Sequence, residues 1–138
     1  MKIIRKEIAI IAPVDKVWSY LSNPKKIATW FLPTDFEARV GKGFTLRCER
    51  QGTIQCEVRE IVSCEKLVYS FKPVATKAET LVTFVLSQLG EQTKVIVTHS
   101  GWETLPSPEE ATFEMFEQGW GARFLNRLKQ VIETEQGE

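Results

Sequence analysis

The sequence has few of the residues that build metal centres or disulfide frameworks. It holds one histidine, His99, and three cysteines, Cys48, Cys56 and Cys64, with no CxxC pair among them. Because a structural zinc site needs four closely spaced ligands of these types, we expect no metal. Phosphate-cradling glycine loops and Ser-His-Asp sets are absent too, so no cofactor is expected. In a reducing cytosol Cys48 and Cys56 are expected to fill the core rather than form a disulfide.

Net charge and long apolar runs are also missing. Eighteen basic residues balance eighteen acidic ones, so the chain lacks the positive excess that nucleic acids attract. No eighteen apolar residues run together, and charges at Lys2, Arg5 and Lys6 interrupt the N-terminus too early for a secretory segment. We therefore expect a soluble, cytoplasmic protein that spans no membrane and binds no nucleic acid.

Repeats, low-complexity tracts and linker-like segments do not occur either, so a single domain over residues 1–138 is expected. The first third of the chain predicts one strand and two short helices. The strand runs from Ile3 to Ala12, and Pro13 follows it in the first turn of a helix. Asn23, an amide cap followed by a proline, begins the second helix.

The middle of the chain alternates apolar and polar residues, as half-buried antiparallel strands do. Five strands are predicted there, at about residues 44–48, 54–59, 66–72, 79–86 and 93–100. A three-residue loop at Gln51-Gly52-Thr53 would place Cys48 opposite Cys56 across the first hairpin. Cys64 lies near the next turn, where we expect it to be partly exposed.

After Pro106-Ser107-Pro108 the apolar spacing becomes helical and stays so almost to the C-terminus, with Ser107 as the expected cap. The apolar stripe of this long helix comprises Phe113, Phe116, Trp120, Phe124, Leu128 and Val131 or Ile132. Gly119 and Gly121 each disfavour a regular helix by about 1 kcal/mol, so a bend or a close approach is expected there.

Ordered blocks along nearly the whole chain resemble those of a known family. They are Ala12-Pro13-Val14-Asp15-Lys16-Val17-Trp18, Asn23-Pro24, Trp30-Phe31, Leu67-Val68-Tyr69-Ser70-Phe71, Val82-Thr83-Phe84, Thr98-His99-Ser100-Gly101-Trp102 and Gly119-Trp120. Together they are similar to stand-alone bacterial members of the activator of heat-shock protein 90 ATPase homology family, within the START-like (SRPBCC) superfamily. The order strand, two short helices, six strands and long helix likewise resembles the helix-grip fold of that superfamily. The resemblance implies an α+β fold in which a curved antiparallel sheet wraps around the long C-terminal helix.

The resemblance also implies an apolar cavity between sheet and helix that binds a small hydrophobic ligand of aromatic, lipid or polyketide-like kind. We expect such a binding domain, not an enzyme, and a monomer or weak dimer. One alternative is a co-chaperone-type module with a chaperone as its partner, and another is a cyclase or hydrolase that uses His99. An apolar docking patch on the outer sheet face is disfavoured by the charged or polar residues Arg47, Glu49, Gln55, Glu57 and Arg59.

The candidate ligand-binding residues are mostly aromatic. They are Trp30, Phe31, Tyr69, Phe71, Phe84, His99, Trp102, Phe113, Phe116 and Trp120. A sheet bent around one helix leaves a wedge, whose wide end we expect to be bounded by Trp30, Trp102 and Trp120, near Met115. Tyr69 and His99 would orient the ligand through hydrogen bonds, with Thr80 or Thr98 as further candidates. The alternative is that core partners satisfy His99 and that the aromatic side chains fill the core.

Overall fold

A computed structural model of the protein describes residues 3–48, 52–72, 79–102 and 110–136. Its elements are β1 (Ile4–Ile10), α1 (Val14–Ser22), α2 (Pro24–Trp30), β2 (Gly43–Cys48), β3 (Gly52–Val62), β4 (Lys66–Lys72), β5 (Thr80–Leu89), β6 (Gln92–Ser100), α3 (Glu110–Gln118), a π-helical segment (Gly119–Leu125) and α4 (Asn126–Gln136). Within these ranges five strands follow α2, not the six that the resemblance implied. The expected cap Ser107 and the side chains of Met115 and Cys48 lie outside what the structure describes.

The six strands form one antiparallel sheet in the order β1-β6-β5-β4-β3-β2. The C-terminal helical segments lie against its inner face, where the Phe116 ring is 5.2 Å from Phe71 and the Trp120 ring is 5.8 Å from Phe84. The buried apolar side chains of the described residues join into one core cluster. This is the α+β helix-grip fold that the resemblance implied.

The two short helices begin and end where the sequence predicts. The Asn23 side chain accepts hydrogen bonds from the amides of Lys25 and Lys26, at 2.9 and 3.4 Å, and so caps α2. The indole N–H of Trp30 then donates to the Tyr20 carbonyl at 2.8 Å, which ties the end of α2 to α1. This bond fixes the Trp30 ring over the sheet.

The register of the β2–β3 hairpin differs from the prediction. Cys48 pairs with Gly52, and Cys56 pairs with Phe44, so the prediction that Cys48 faces Cys56 is wrong. Alternation reveals which face a side chain occupies, but a slip of two residues preserves that face, so alternation cannot fix the register. Cys56 is buried, and burial raises the pKa of its thiol, as expected for a core-filling cysteine. Cys64 lies in the β3–β4 turn and is partly exposed, as expected.

Residues 33–36, which we call the edge strap, run beside the free edge of β2. Three hydrogen bonds hold the strap, from Arg47 N to Pro33 O at 2.9 Å, from Thr34 Oγ1 to Thr45 O at 2.6 Å, and from Thr45 N to Asp35 Oδ1 at 2.6 Å. The bond from the Thr45 amide is the main cause that lowers the pKa of Asp35. The strap carries Phe36 into the core, where that side chain is buried.

The C-terminal helix changes its winding at the two glycines. Gly119–Leu125 is π-helical, and a Cβ placed on Gly121 would come within 3.3 Å of the Lys6 side chain. The expected bend or close approach is therefore confirmed. None of the helices that the structure describes combines the length and apolar content that a bilayer crossing needs.

A polar clasp joins the last helix to the end of β1. The Glu133 carboxylate accepts from the Ile11 amide at 2.8 Å and from the Lys129 ammonium at 2.6 Å. Lys129 also donates to the Ala9 carbonyl at 2.9 Å. These hydrogen bonds, together with a salt bridge, lower the pKa of Glu133 although desolvation acts in the opposite direction. The clasp holds α4 along β1.

Candidate functional site

An apolar cavity of about 10 Å³ lies between α2, the edge strap and the inner face of the sheet. Its walls are formed by Leu21, Ile27, Trp30, Phe31, Phe36, Phe44, Leu46, Leu67, Tyr69 and Phe84. A volume of roughly 10–15 Å³ is the least that holds one water molecule. The core at this position is therefore almost, but not completely, filled.

Among the described wall residues, two side chains carry polar groups, the Trp30 indole and the Tyr69 hydroxyl. The indole N–H is already used in its bond to the Tyr20 carbonyl. The structure gives the Tyr69 hydroxyl no hydrogen bond to any described residue, although only 5% of the residue is exposed. Every fully enclosed side-chain nitrogen or oxygen of the described residues does have a partner, so the Tyr69 hydroxyl is not fully enclosed. Tyr69 is one of the residues that line the cavity.

The rings around the cavity meet mostly edge to face. Phe44 lies between Phe36 and Tyr69 at centroid distances of 4.9 and 5.2 Å, with interplanar angles of 85° and 81°. Trp30 and Phe84 are arranged in the same way, at 6.3 Å and 88°. Such pairs place the positive ring edge against the negative ring face. The aromatic side chains of the wall therefore pack on one another through both ring edges and ring faces.

His99 lies beside this cavity in a fully bonded network. Its Nδ1 is 3.1 Å from the Trp120 indole nitrogen, and its Nε2 is 2.8 Å from the Thr80 hydroxyl oxygen. An indole N–H can only donate, so Nδ1 must be the unprotonated acceptor and Nε2 must carry the proton. Nε2 then donates to Thr80, whose own hydroxyl donates to the Phe71 carbonyl at 2.5 Å. Each donated proton in this hydrogen-bond network has one assigned acceptor.

Burial decides the charge of the site. His99 is completely buried, and desolvation lowers its pKa to about 3, so the imidazole is neutral near physiological pH. Desolvation likewise raises the pKa of Tyr69 well above its usual value of 10. Within the described ranges no three His, Cys, Asp or Glu side chains converge to hold a metal ion. The described walls of the cavity are uncharged and mostly apolar, and they carry one hydroxyl, that of Tyr69.

Residues 11–133 match the family model described as Activator of Hsp90 ATPase homolog 1-like protein. The chain belongs to this family. No curated protein matches the sequence. The family assignment confirms the resemblance found in the sequence blocks, and the fold confirms a START-like (SRPBCC) domain.

Solved structures share the fold of this Activator of Hsp90 ATPase homolog 1-like chain. Protein MLL2253 from Mesorhizobium loti is 24% identical with a TM-score of 0.86, over 96% of this chain and 98% of that one. DynU16, a putative protein in the dynemicin biosynthetic locus, is 24% identical with a TM-score of 0.84, and the match covers 98% of this chain but 48% of DynU16. The Aha1 dimer from Colwellia psychrerythraea is 21% identical with a TM-score of 0.79, over 96% and 97% of the two chains. At these identities the likeness establishes the fold.

The predicted site residues divide into two groups in this family member. Trp30, Phe31, Tyr69 and Phe84 line the cavity. The others, outside its walls, are Phe71, His99, Trp102, Phe113, Phe116 and Trp120, and they form an aromatic cluster around the imidazole. Trp30, Trp102 and Trp120 therefore do not bound this cavity together. Trp120 connects the groups because its ring contacts Phe31 at 5.2 Å and Phe84 at 5.8 Å.

Six further residues of the cavity wall were not singled out as site residues from the sequence. They are Leu21, Ile27, Phe36, Phe44, Leu46 and Leu67. Alternation along β2 placed Phe44 and Leu46 on one apolar face, but it did not distinguish cavity wall from filled core. Thr80 is buried and bonded to His99, whereas Thr98 alternates with the inward residues of β6 and lies on the outer face.

Proposed function

We propose that this chain binds a small hydrophobic molecule in the cavity beneath α2 and does not transform it chemically. The Tyr69 hydroxyl carries the proposal, because it is a buried polar group with no hydrogen bond to a described residue in an otherwise apolar wall. Buried hydroxyls normally have a partner, and an oxygen of a bound molecule would provide one. Apolar walls with very few polar groups are typical of small-molecule sites.

The surroundings of His99 favour binding over catalysis. Both ring nitrogens are bonded to protein groups, so the imidazole has no free position for a ligand. With a pKa lowered to about 3 it also exchanges few protons near neutral pH, unlike a general acid or base. The buried Cys56, whose pKa is raised, offers no thiolate nucleophile. One structural neighbour, DynU16, is described as a putative protein of a biosynthetic locus, which fits a role in handling a small molecule.

A ligand has to widen the cavity in order to enter. An engineered cavity that binds benzene measures about 150 Å³, far more than the present space. The edge strap is the wall that moves at the least cost, because outward movement breaks bonds to the edge of β2 and leaves the pairing within the sheet intact. Phe36 would move with it and leave room beside Tyr69.

Methyl NMR tests the proposal with 2-naphthol as the probe. The methyl signals of Leu21, Ile27 and Leu67 are expected to shift in proportion to binding, because these side chains line the cavity. Signals of Ile96, on the outer sheet face, serve as the internal control and should not shift. Unfolding temperature should rise with probe concentration, as mass action requires. Shifts confined to surface methyl groups, or none with any member of a broad lipid and aromatic library, would contradict the proposal.

A matched pair of cavity variants sharpens this test. Leu67→Ala enlarges the cavity, whereas Leu125→Ala removes an equally buried side chain from outside its walls. Both lose about 2–5 kcal/mol of stability. Only Leu67→Ala should bind 2-naphthol more tightly than the original chain. Equal affinities for the two variants would place the binding site elsewhere.

A second candidate function is a protein-interaction module, which the family description as an activator homologue of the Hsp90 ATPase suggests. The charged residues expected on the outer face are confirmed for β3, but β5 and β6 carry Val85 and Ile96 there as partly exposed neighbours. A pull-down with heat-shock protein 90 and an ATPase assay test this candidate. Charge reversal at Glu57 should leave any binding through Val85 and Ile96 intact, whereas Val85→Lys should abolish it.

A further inference from the structure

Among the described wall residues of the cavity, the side chains leave one polar group free to bond a ligand. Of the two polar side-chain groups in its walls, the Trp30 indole N–H is bonded to the Tyr20 carbonyl at 2.8 Å. The Tyr69 hydroxyl is left, and it can donate one hydrogen bond and accept another. A ligand with several polar groups would leave the rest buried without partners, and each unpaired group weakens binding.

Charge on the ligand is opposed by the same walls. None of the described wall residues is Lys, Arg, His, Asp or Glu, so an ionised ligand would find no opposite charge among them. Moving a carboxylate into such a space costs several kcal/mol unless it is paired. Tyr69 itself stays protonated because burial raises its pKa, so it provides a neutral hydroxyl at physiological pH.

The shape of the walls favours a flat ring. Six of the ten wall residues are aromatic, and they are Trp30, Phe31, Phe36, Phe44, Tyr69 and Phe84. Three pairs among them already meet edge to face, so the aromatic rings in this region pack through both edges and faces. An aromatic ligand gains from both kinds of contact in addition to the area that it buries. A flexible acyl chain gains the area alone and loses rotational freedom on binding.

We infer that the ligand is a neutral aromatic molecule with one hydrogen-bonding oxygen, and that Tyr69 is the residue that selects it. This inference rests on the proposed function, since it names the class of molecule for the same cavity. The oxygen is a hydroxyl or a carbonyl at hydrogen-bond distance from the Tyr69 hydroxyl. The ring lies among the aromatic walls, in the space opened by the edge strap.

Two isosteric probes test the role of Tyr69. 2-Naphthol and 2-methylnaphthalene have almost the same shape, but only 2-naphthol can form the hydrogen bond. Tyr69→Phe removes the protein partner and leaves the ring in place. The preference for 2-naphthol over 2-methylnaphthalene should fall by about threefold to tenfold in Tyr69→Phe, the value of one neutral hydrogen bond. Titration calorimetry or methyl NMR measures the four dissociation constants.

The chain contains its own matched control. Tyr20 is the other tyrosine of the sequence, it is buried, and it does not line the cavity. Tyr20→Phe makes the same chemical change outside the site and should leave the preference unchanged. Should Tyr69→Phe fail to fold, the two probes on the original chain still decide, since equal affinities would overturn the inference.

A second pair of probes tests the charge. 2-Acetonaphthone carries a neutral carbonyl where 2-naphthoate carries an ionised carboxylate at neutral pH. The ketone should bind at least about a hundredfold more tightly than the acid. Comparable affinities, or a preference for 2-naphthol that persists in Tyr69→Phe, would overturn the inference while leaving the proposed function intact. If none of the four probes shifts the cavity methyl signals, the proposed function itself fails.

Discussion

The indole N–H of Trp120 donates to Nδ1 of His99 across 3.1 Å, joining the π-helical segment to β6 inside the core. Both residues are completely buried, so no water can replace either partner. Because the bond fixes the position of Trp120, it also supports Phe31 and Phe84, the cavity walls that the Trp120 ring contacts. The single histidine thus acts on the site through packing.

Removing one partner of the hydrogen bond between Trp120 and His99 should lower the stability of the fold. Trp120→Phe leaves Nδ1 of His99 without a donor, and His99→Phe leaves the indole N–H without an acceptor. Each change is expected to lower the free energy of unfolding by about 1–3 kcal/mol, measured by urea denaturation. The double variant should lose less than the sum, because no orphaned group remains. The Trp30 indole bonds Tyr20 instead, so the losses of stability in Trp30→Phe and His99→Phe should add. Additive losses in Trp120→Phe and His99→Phe would contradict the assigned bond.

The tautomer and charge of His99 can be read by ¹⁵N NMR. The structure predicts a neutral imidazole protonated on Nε2, unchanged from neutral pH down to about pH 4, because burial lowers the pKa to about 3. In the unfolded chain the imidazole takes up a proton at its ordinary pKa of 6.5, so stability is lost as the pH falls from 6.5 towards 3. The limiting slope is about 1.4 kcal/mol per pH unit.

Between pH 6 and pH 5 the carboxylates remain ionised by their usual pKa values of about 4, which isolates the contribution of His99. A His99→Gln variant should therefore show a flatter stability profile in that interval. A proton on Nδ1, or a titration of the imidazole near its ordinary pKa in the folded protein, would be incompatible with the network.

The clasp at the end of β1 should depend on the charge of Glu133. Glu133→Gln weakens the bonds to the Ile11 amide and the Lys129 ammonium, and we expect a loss of about 0.5–1.5 kcal/mol in thermal or urea unfolding. The pKa of Glu133 is lowered in the folded state, so its contribution to stability is present above the ordinary pKa of 4.5 and is lost as the pH falls through the folded pKa. Glu117→Gln, on the exposed surface of α3, should have almost no effect. An equal effect of the two changes would show that the clasp adds nothing to stability.

Gly101 should tolerate no side chain. Its φ is +91°, and a Cβ there would lie 3.2 Å from the Thr80 Cα and 3.3 Å from the Glu79 carbonyl oxygen. Gly90, with φ +61°, has open space around the same position. Gly90→Ala should cost about 1 kcal/mol for its left-handed conformation, and Gly101→Ala clearly more, because backbone atoms must also move. Matched urea curves for the two variants compare them directly, and an equal loss would contradict the crowding.

Local patterns predicted most of the elements because they are short-range properties. Asn23 and Pro24 start α2 as predicted, and Gly119 and Gly121 mark the irregular winding of the last helix. Alternation along β6 puts His99 on the same face as Val95 and Val97, and all three are buried in the structure. What the pattern could not reveal was distance between remote segments, because the bond between Trp120 and His99 joins residues 21 positions apart.

The same limit explains the errors at the candidate site. Tyr69 and Phe71 are both buried on the inner face of β4. Tyr69 lines the cavity whereas Phe71 packs against His99, because the two residues lie at different positions along the strand. The hairpin register failed for a related reason, since a change of pairing by an even number of residues leaves Cys56 on the inward face. Phe36 was missed because the edge strap has no periodic pattern.

The edge strap also determines how the sheet can grow. At the free edge of β2, the Thr45 amide, the Thr45 carbonyl and the Arg47 amide are already bonded to the strap. A strand from another molecule would find these donors and acceptors occupied by groups of the chain itself. Strand addition of the kind that begins fibril assembly is therefore blocked along this stretch, by a short irregular segment that forms no strand of its own.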